Sequence, residues 1–373
     1  MLGRHSEPKA KNLDPSFALL TQDDREGFNR DYSALFFGAR RRREQISWRK
    51  MEKRDLVIVG GGPAGMAAAL AAREAGVRDI LLLERDRFLG GILNQCVHTG
   101  FGVEYFKEIL TGPQYAERFE NMARGAKGIE IALRSFVIKL TKDKKITAIS
   151  PGNVREIRAG AVIMATGCRE RTREMIHVPG TRPAGVFSAG LAQKLINIEG
   201  LLPGREVVII GSGDIGLIMA RRFTLEGSRV KAIIEINSKV TGLTRNVAQC
   251  AEDFDIPIFL EHKVTEIIGK NRVKAVRAAK VDTSGKSLPG TEMEWACDTA
   301  LFSVGLIPEN ELIEMAGVKI DKKTNTPVSS EINRTSIPGI FVCGNSYKIY
   351  DIVDDVTKDA EIAGRQAAEY LGK

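Results

Sequence analysis

Residues 57–65 read Val57-Ile58-Val59-Gly60-Gly61-Gly62-Pro63-Ala64-Gly65, and residues 209–216 read Ile209-Ile210-Gly211-Ser212-Gly213-Asp214-Ile215-Gly216. Each is an apolar run entering a GxGxxG turn, and each leads on to a carboxylate at the end of the next apolar run, Glu84 and Glu235. Gly60 precedes Glu84 by 24 positions, and Gly211 precedes Glu235 by the same 24. In such a turn the first glycine allows the tight bend, the second lets backbone approach a pyrophosphate, and the third lets helix and strand pack closely. The diphosphate then meets free N–H groups at the positive end of the helix. The carboxylate accepts the hydroxyls of the adenosine ribose. One match is weak evidence. Two with equal internal spacing point to a chain that holds two dinucleotides at once, for which electron transfer between them is the usual reason.

The order around each turn is the same. Asp55 to Val59 is apolar enough for a strand buried on both faces, Ala64 to Ala75 is a small-residue helix ended by Gly76, and Ile80 to Leu83 is the next strand. A glycine-rich segment from Gly90 to Gly102 follows, then a helix near Tyr115 to Arg124 and short strands at 129–133, 136–140 and 146–150. The unit closes on Ala161 to Gly167. In the second unit, 206–210 is a strand, 215–226 a helix and 230–234 a strand, and short strands near 258–260, 264–268 and 273–278 are expected to form a meander. It closes on Ala300 to Gly305. A last buried strand, 339–344, and a helix over 355–371 are read as returning to complete the first unit.

This gives an α/β chain with two Rossmann-like domains, the second inserted in the first. The expected division is a basic extension over residues 1–50, a first nucleotide-binding domain over 51–170 and 300–373, and a second, inserted one over 171–299.

Composition excludes several other classes. With 373 residues and 43% hydrophobic content the chain can bury two cores. Met66 to Ala72, the longest run of small apolar residues, is far short of the roughly 20 residues of a membrane span, and no secretory signal is evident, so a cytoplasmic protein is expected. The net charge of +8 resembles a nucleic-acid signal, but residues 1–50 carry 11 Lys/Arg against 7 Asp/Glu, half the excess, in an arm read as solvated. No nucleic-acid partner is expected. The five cysteines, at 96, 168, 250, 297 and 343, form no CxxC pair and no metal or iron–sulfur spacing, so thiol–disulfide exchange and a metal centre are not expected either.

Glu235 bears on the nucleotide taken by the second turn. A 2′-phosphate would be repelled by its carboxylate, and Lys239 and Arg245 lie too far downstream to replace it, so NADH is expected over NADPH.

The motifs GGGPAG (60–65), ATG (165–167), GSGDIG (211–216) and PGIFVCG (338–344) together resemble the two-dinucleotide-binding-domain flavoproteins of the pyridine nucleotide-disulfide oxidoreductase superfamily, over essentially residues 52–373. The length is similar to the compact thioredoxin-reductase-like form, here without its CxxC. The segment Gly90 to Gly102, GGILNQCVHTGFG, is similar to FAD-dependent subunits associated with anaerobic glycerol-3-phosphate dehydrogenase.

The resemblance implies three-layer ββα domains, FAD on the first turn and NAD(H) as co-substrate on the second. It implies a cofactor-binding set of Gly60, Gly62, Pro63, Ala64, Gly65, Glu84, Gly91, Asn94, Gln95, Ala165, Thr166, Gly167, Gly344, Asn345 and Val356 for the first lobe. For the second it implies Gly211, Gly213, Asp214, Ile215, Gly216, Glu235 and Gly305. The helix start around Val356 to Lys358 would aim its amides at the flavin, with Asp354 and Asp355 read as helix caps. Where the family has Gly-Asp this chain has Gly344-Asn345, an uncharged partner for the ribityl chain. Cys96 and His98 stand in the loop bordering the flavin as candidate catalytic groups. The implied activity passes hydride between NAD(H) and FAD and electrons to or from a partner dehydrogenase subunit, glycerol-3-phosphate linked. A self-contained NADH oxidase, a homo-oligomer and a non-catalytic flavoprotein subunit stay open.

Overall fold

Strand β1 (Glu52–Val59) ends in Leu56, Val57, Ile58 and Val59, all buried because both faces of the strand are covered. The computed structural model describes residues 51–329 and 331–373, and the basic extension over 1–50 lies outside the described residues. After the glycine turn comes α1 (Pro63–Glu74), with proline in the first turn, where its missing N–H costs nothing. Its residues are small for a reason. A Cβ at Gly65 would lie 1.8 Å from the Gly60 carbonyl oxygen, so helix and turn meet backbone to backbone.

The first sheet continues with β2 (Ile80–Leu83), α2 (Gly112–Gly125), β3 (Ile129–Ala132), the hairpin β4 (Phe136–Leu140) and β5 (Lys145–Ser150), and β6 (Asn153–Met164). A capping box of Thr111 and Gln114 starts α2. The order is β3-β2-β1-β6-β5-β4. The pairs β3–β2, β2–β1 and β1–β6 are parallel, and β4–β5 is antiparallel. Alternation divides the core in two. Leu56, Ile58, Ile80, Leu82 and Ile163 face the helices, whereas Val57, Val59, Leu81, Leu83 and Val162 pack on Val137, Leu140, Ile146 and Ala148 of the hairpin. Helices, parallel sheet and antiparallel hairpin are the three layers.

The second sheet repeats the scheme with β7 (Val186–Ser188), α3 (Ala189–Asn197), β8 (Glu206–Ile210), α4 (Asp214–Leu225), β9 (Arg229–Ile234), α5 (Thr244–Cys250), β10 (Ile258–Phe259), β11 (His262–Gly269), β12 (Val273–Lys280), β13 (Met293–Ala296) and β14 (Thr299–Phe302). Strands β7-β14-β8-β9-β10 form the parallel sheet, and β11-β12-β13 the antiparallel layer. Two sequence expectations are corrected here. Residues 258–260 do not open the meander: Ile258 and Phe259 pair in parallel with Ile233 and Ile234, and the chain reverses only at Glu261, whose φ of 56° breaks the strand. The meander's third strand is Met293–Ala296 instead. The expected boundary at residue 300 also cuts through β14, which pairs with β7 and β8 and so belongs to the inserted lobe.

The chain crosses between lobes at Cys168–Glu170 and Leu306–Pro308, which pair antiparallel. Strand β15 (Ile340–Val342) then adds to β6 in parallel, and α6 (Val353–Tyr370) covers α1. A Cβ at Gly364 of α6 would stand 2.4 Å from the Ala68 carbonyl oxygen, which sets the close approach of the two helices. Both sheets lie within one compact unit. Among the described residues no helix is long and apolar enough to cross a membrane.

Candidate functional site

The carboxyl ends of both parallel sheets open onto one cleft of about 1970 Å³. In the first lobe Glu84, 7% exposed at the end of β2, accepts the Gly61 amide proton on Oε2 at 2.6 Å and the Asp86 amide proton on Oε1 at 2.7 Å. A Cβ at Gly62 would meet no atom within 4 Å, so the backbone above it is open to a ligand. Gly62 precedes α1 without any side-chain cap, which leaves first-turn N–H groups for an anion.

The second lobe repeats this geometry. Glu235 Oε2 accepts from the Ser212 amide at 2.9 Å and the Ser212 hydroxyl at 2.5 Å, and Oε1 accepts from the Asn237 amide at 2.9 Å and its side-chain Nδ2 at 2.6 Å. Gly213 is open, with nothing nearer to a Cβ than Thr241 Oγ1 at 3.9 Å. Asp214 Oδ1 accepts from the Leu243 amide at 2.8 Å and from Asn246 Nδ2 at 2.7 Å, which ties the turn to α5.

Gly60, Gly62, Pro63, Ala64, Glu84, Gly91, Asn94, Gln95, Cys96, His98, Ala165, Thr166, Gly167, Gly211, Gly213, Asp214, Ile215, Glu235, Gly305, Asn345 and Val356 all line the cleft. Gly65, Gly216 and Gly344 stand behind it as close-packing positions. Gly344, for example, has a φ of 62° and donates its amide proton to the buried Asp359 at 2.7 Å. Thr166 Oγ1 donates to the Glu309 carbonyl at 2.7 Å, and Gly167 donates to Ser346 Oγ at 3.0 Å.

Several side chains have other partners than sequence suggests. Asn345 Oδ1 accepts the Tyr350 amide proton at 3.1 Å and so shapes its own turn. Asn94 Nδ2 donates to the Leu89 carbonyl at 2.7 Å. Gln95 reaches across the lobe boundary, donating to the Gly190 carbonyl at 2.8 Å and to Gln193 at 3.1 Å. Cys96 is 6% exposed, donates to the Ile92 carbonyl at 3.3 Å, and burial pushes its thiol up to about 12. That environment suits packing better than thiolate chemistry. His98 contacts Thr99 O at 3.3 Å through Nδ1, its buried Nε2 has no partner among the described residues, and burial holds it below its usual range, with Arg245 of the other lobe adding to the effect.

The helix-cap expectation for the acidic pair is corrected. Helix α6 begins at Val353, after Ile352, so Val356 already donates its amide proton to the Ile352 carbonyl. The unpaired first-turn amides start at Val353. Asp354, 1% exposed, does not cap the helix but accepts from the amides of Gly102, Glu104 and Tyr105 at 3.1, 2.7 and 3.2 Å. Asp355 pairs with Lys358 at 3.3 Å. Sequence reasoning read Asp354 as a cap and missed this role because its partners lie some 250 positions away. It also missed Glu170, which accepts from the Gly190 and Leu191 amides at 2.6 and 3.2 Å and so caps α3 from the crossing strand. The missed Ser212 occupies a position that GxG leaves unspecified.

A family model described as pyridine nucleotide-disulphide oxidoreductase matches residues 54–367. The chain belongs to the pyridine nucleotide-disulphide oxidoreductase family. Members are FAD-dependent oxidoreductases that use NAD(P)H. The chain is 28% identical to an opine oxidase subunit of Agrobacterium tumefaciens over 86% of its own length and 64% of that protein's. It is 31% identical to hydrogen cyanide synthase subunit HcnB of Pseudomonas protegens, over 78% and 65%, and 27% identical to thioredoxin reductase of Listeria monocytogenes, over 85% and 93%. It therefore spans less than two thirds of the opine oxidase subunits it matches. Among solved structures, thioredoxin reductase of Lactococcus lactis superposes with a TM-score of 0.69 at 23% identity, covering 86% of this chain and 99% of that one. That of T. acidophilum gives 0.67 at 24%, covering 85% and 98%. These likenesses are of fold.

The first lobe fits the family's FAD on its own geometry. The open backbone at Gly62, the uncapped start of α1 and the hydrogen-bonded Glu84 carboxylate form a cradle for an adenine dinucleotide, and Gly91 lies beside it, where an added Cβ would stand 3.2 Å from Gly62 Cα.

Proposed function

We propose that this chain is an FAD-dependent NADH oxidoreductase that exchanges electrons with a partner dehydrogenase subunit, glycerol-3-phosphate linked. The observation that carries the reading is the repeated carboxylate-to-turn bond, Glu84 to Gly61 and Glu235 to Ser212, with both turns facing one cleft. Two dinucleotide cradles on a shared cleft supply what hydride exchange between two ring systems needs, which is that both be held facing one space.

When bound, FAD supplies the two-electron chemistry. The chain's residues do the rest. We assign FAD to the lobe built from 51–170 and the returning C-terminal segment, where Glu84 takes the ribose hydroxyls and the α1 amides take the diphosphate. First-turn amides of α6 favour negative charge on the ring. In the second lobe Glu235 accepts four protein hydrogen bonds that fix it beside the turn. A 2′-phosphate would meet this carboxylate, so NADH is the nucleotide proposed.

The partner subunit is supported by two relatives whose names call them subunits, of an opine oxidase and of a hydrogen cyanide synthase. The glycerol-3-phosphate link rests on the resemblance of segment 90–102. Without CxxC, the disulfide chemistry of the thioredoxin reductase relatives is not proposed for this chain.

The test is turnover with purified protein. NADH oxidation with a dye acceptor is expected alone, and glycerol-3-phosphate-dependent reduction of NAD only when a glycerol-3-phosphate dehydrogenase subunit is added. Rapid NADH oxidation by oxygen, unaffected by the added subunit, would point to a self-contained oxidase and overturn the partner assignment.

A further inference from the structure

The amide of Gln193 has an orientation fixed by a backbone group. The Gly190 carbonyl can only accept, so the end of Gln95 that faces it at 2.8 Å is Nε2. That same Nε2 stands 3.1 Å from Gln193, where a donor requires Gln193 to present Oε1. The donor end of Gln193 is thereby turned away from Gln95. Its Nε2 is buried without a partner among the described residues, on a side chain that is 1% exposed and lines the cleft.

The place of this donor is set by the order of the first sheet. Glu84 ends β2 and Gly62 follows β1, and the strands next in order are β6 and β15, so a ligand held at both positions and running on across the sheet would pass the carboxyl ends of those strands. The segment from Gly91 to Tyr105 follows the same course. It starts against Gly62 and ends tied to Asp354 in the first turn of α6. Gln95 and Cys96 fall between these anchors, and α3 brings Gln193 onto them from the other lobe.

We propose that Gln193 donates a hydrogen bond through Nε2 to an acceptor atom of the flavin ring and so favours its reduced, more electron-rich form. Glu170 and Gln95 are positioning residues for it: Glu170 holds the start of α3, and Gln95 holds the amide in this orientation. The inference rests on the first lobe's holding FAD.

The test is the redox equilibrium of the bound flavin in Gln193→Leu and Gln193→Glu, each compared with wild type at equal FAD content in a fixed redox buffer. In Gln193→Leu the ratio of reduced to oxidised flavin is expected to fall about tenfold, the scale of one hydrogen bond to a charged group. In Gln193→Glu it should fall further, because a carboxylate then approaches the electron-rich ring. An unchanged ratio in both variants would overturn the proposal and leave Gln193 as lobe packing. So would an unchanged ratio with weakened NADH binding, which would move the donor to the nicotinamide. A wild-type chain that does not bind FAD would instead remove the reading on which the inference stands.

Discussion

Glu84 accepts the amide proton of Gly61 at 2.6 Å across 23 positions of chain. Glu235 does the same for Ser212 at 2.9 Å, again across 23. The bond ties the end of one strand to the turn after the other, so the acid that meets a ribose also sets the shape of the loop that meets the diphosphate. That coupling explains why turn and acid occur twice at one spacing.

Glu235→Ala should therefore damage nucleotide use and spare the flavin. The half-saturating NADH concentration is expected to rise at least about tenfold, because the carboxylate that shapes the turn is lost and Ser212 and Asn237 lose their acceptor. FAD content should be unchanged, and the preference for NADH over NADPH should shrink. Steady-state dye reduction with both nucleotides measures this.

Asp354→Ala leaves three backbone amides of the 102–105 loop without their acceptor. An unpaired amide costs about 1–3 kcal/mol where it is buried, as at Gly102, and less at the part-buried Glu104 and Tyr105, so a loss of roughly 2–4 kcal/mol is expected. Urea unfolding gives the number, and limited proteolysis should show the first new cut in this loop. An unchanged midpoint with a protected loop would contradict the clamp.

Cys96 should behave as an inert thiol. Burial pushes it up to about 12, so little thiolate exists near neutral pH. Iodoacetamide at mildly alkaline pH is expected to leave Cys96 unmodified in the folded protein, and Cys96→Ala should keep NADH-dependent activity within about threefold, a loss of under 1 kcal/mol. Fast alkylation with loss of activity would restore the cysteine to a chemical role.

His98 gives a pH dependence of stability. Burial lowers its pKa below the usual 6.5 in the folded chain, so the unfolded chain takes up the proton more readily. Stability from this group is fully present above the unfolded value and is lost as pH falls through the folded one. His98→Gln should therefore lose less stability than wild type between about pH 7 and pH 5. Unfolding midpoints at the two pH values decide it. An equal loss in both proteins would show that His98 does not contribute.

The two-lobed fold was legible because its signals are local. Val57 to Gly65 and Ile209 to Gly216 spell strand, turn and helix within a few residues, and each acid follows at a fixed distance along the chain. What was not legible depends on contacts between distant segments. Asp354 carries an N-terminal acid's usual signal and yet serves a loop from the other end of the sequence. Gln95, read as a flavin contact, is held by α3 of the inserted lobe, and nothing in its neighbours announces Gln193. Ile258 and Phe259 look like a meander strand because two residues carry no directional pattern. Only their pairing with Ile233 and Ile234 shows that they extend the parallel sheet. Cys96 attracted attention as a lone thiol, a property its burial removes.

The most direct measurement of the central claim is anaerobic rapid mixing of the FAD-loaded protein with NADH, followed at the flavin absorbance. Bleaching by NADH is expected within the first turnovers, with much slower bleaching by an equal concentration of NADPH and selective loss of the NADH phase in Glu235→Ala. A flavin that stays fully oxidised with saturating NADH, or a chain that binds neither nucleotide, would contradict it.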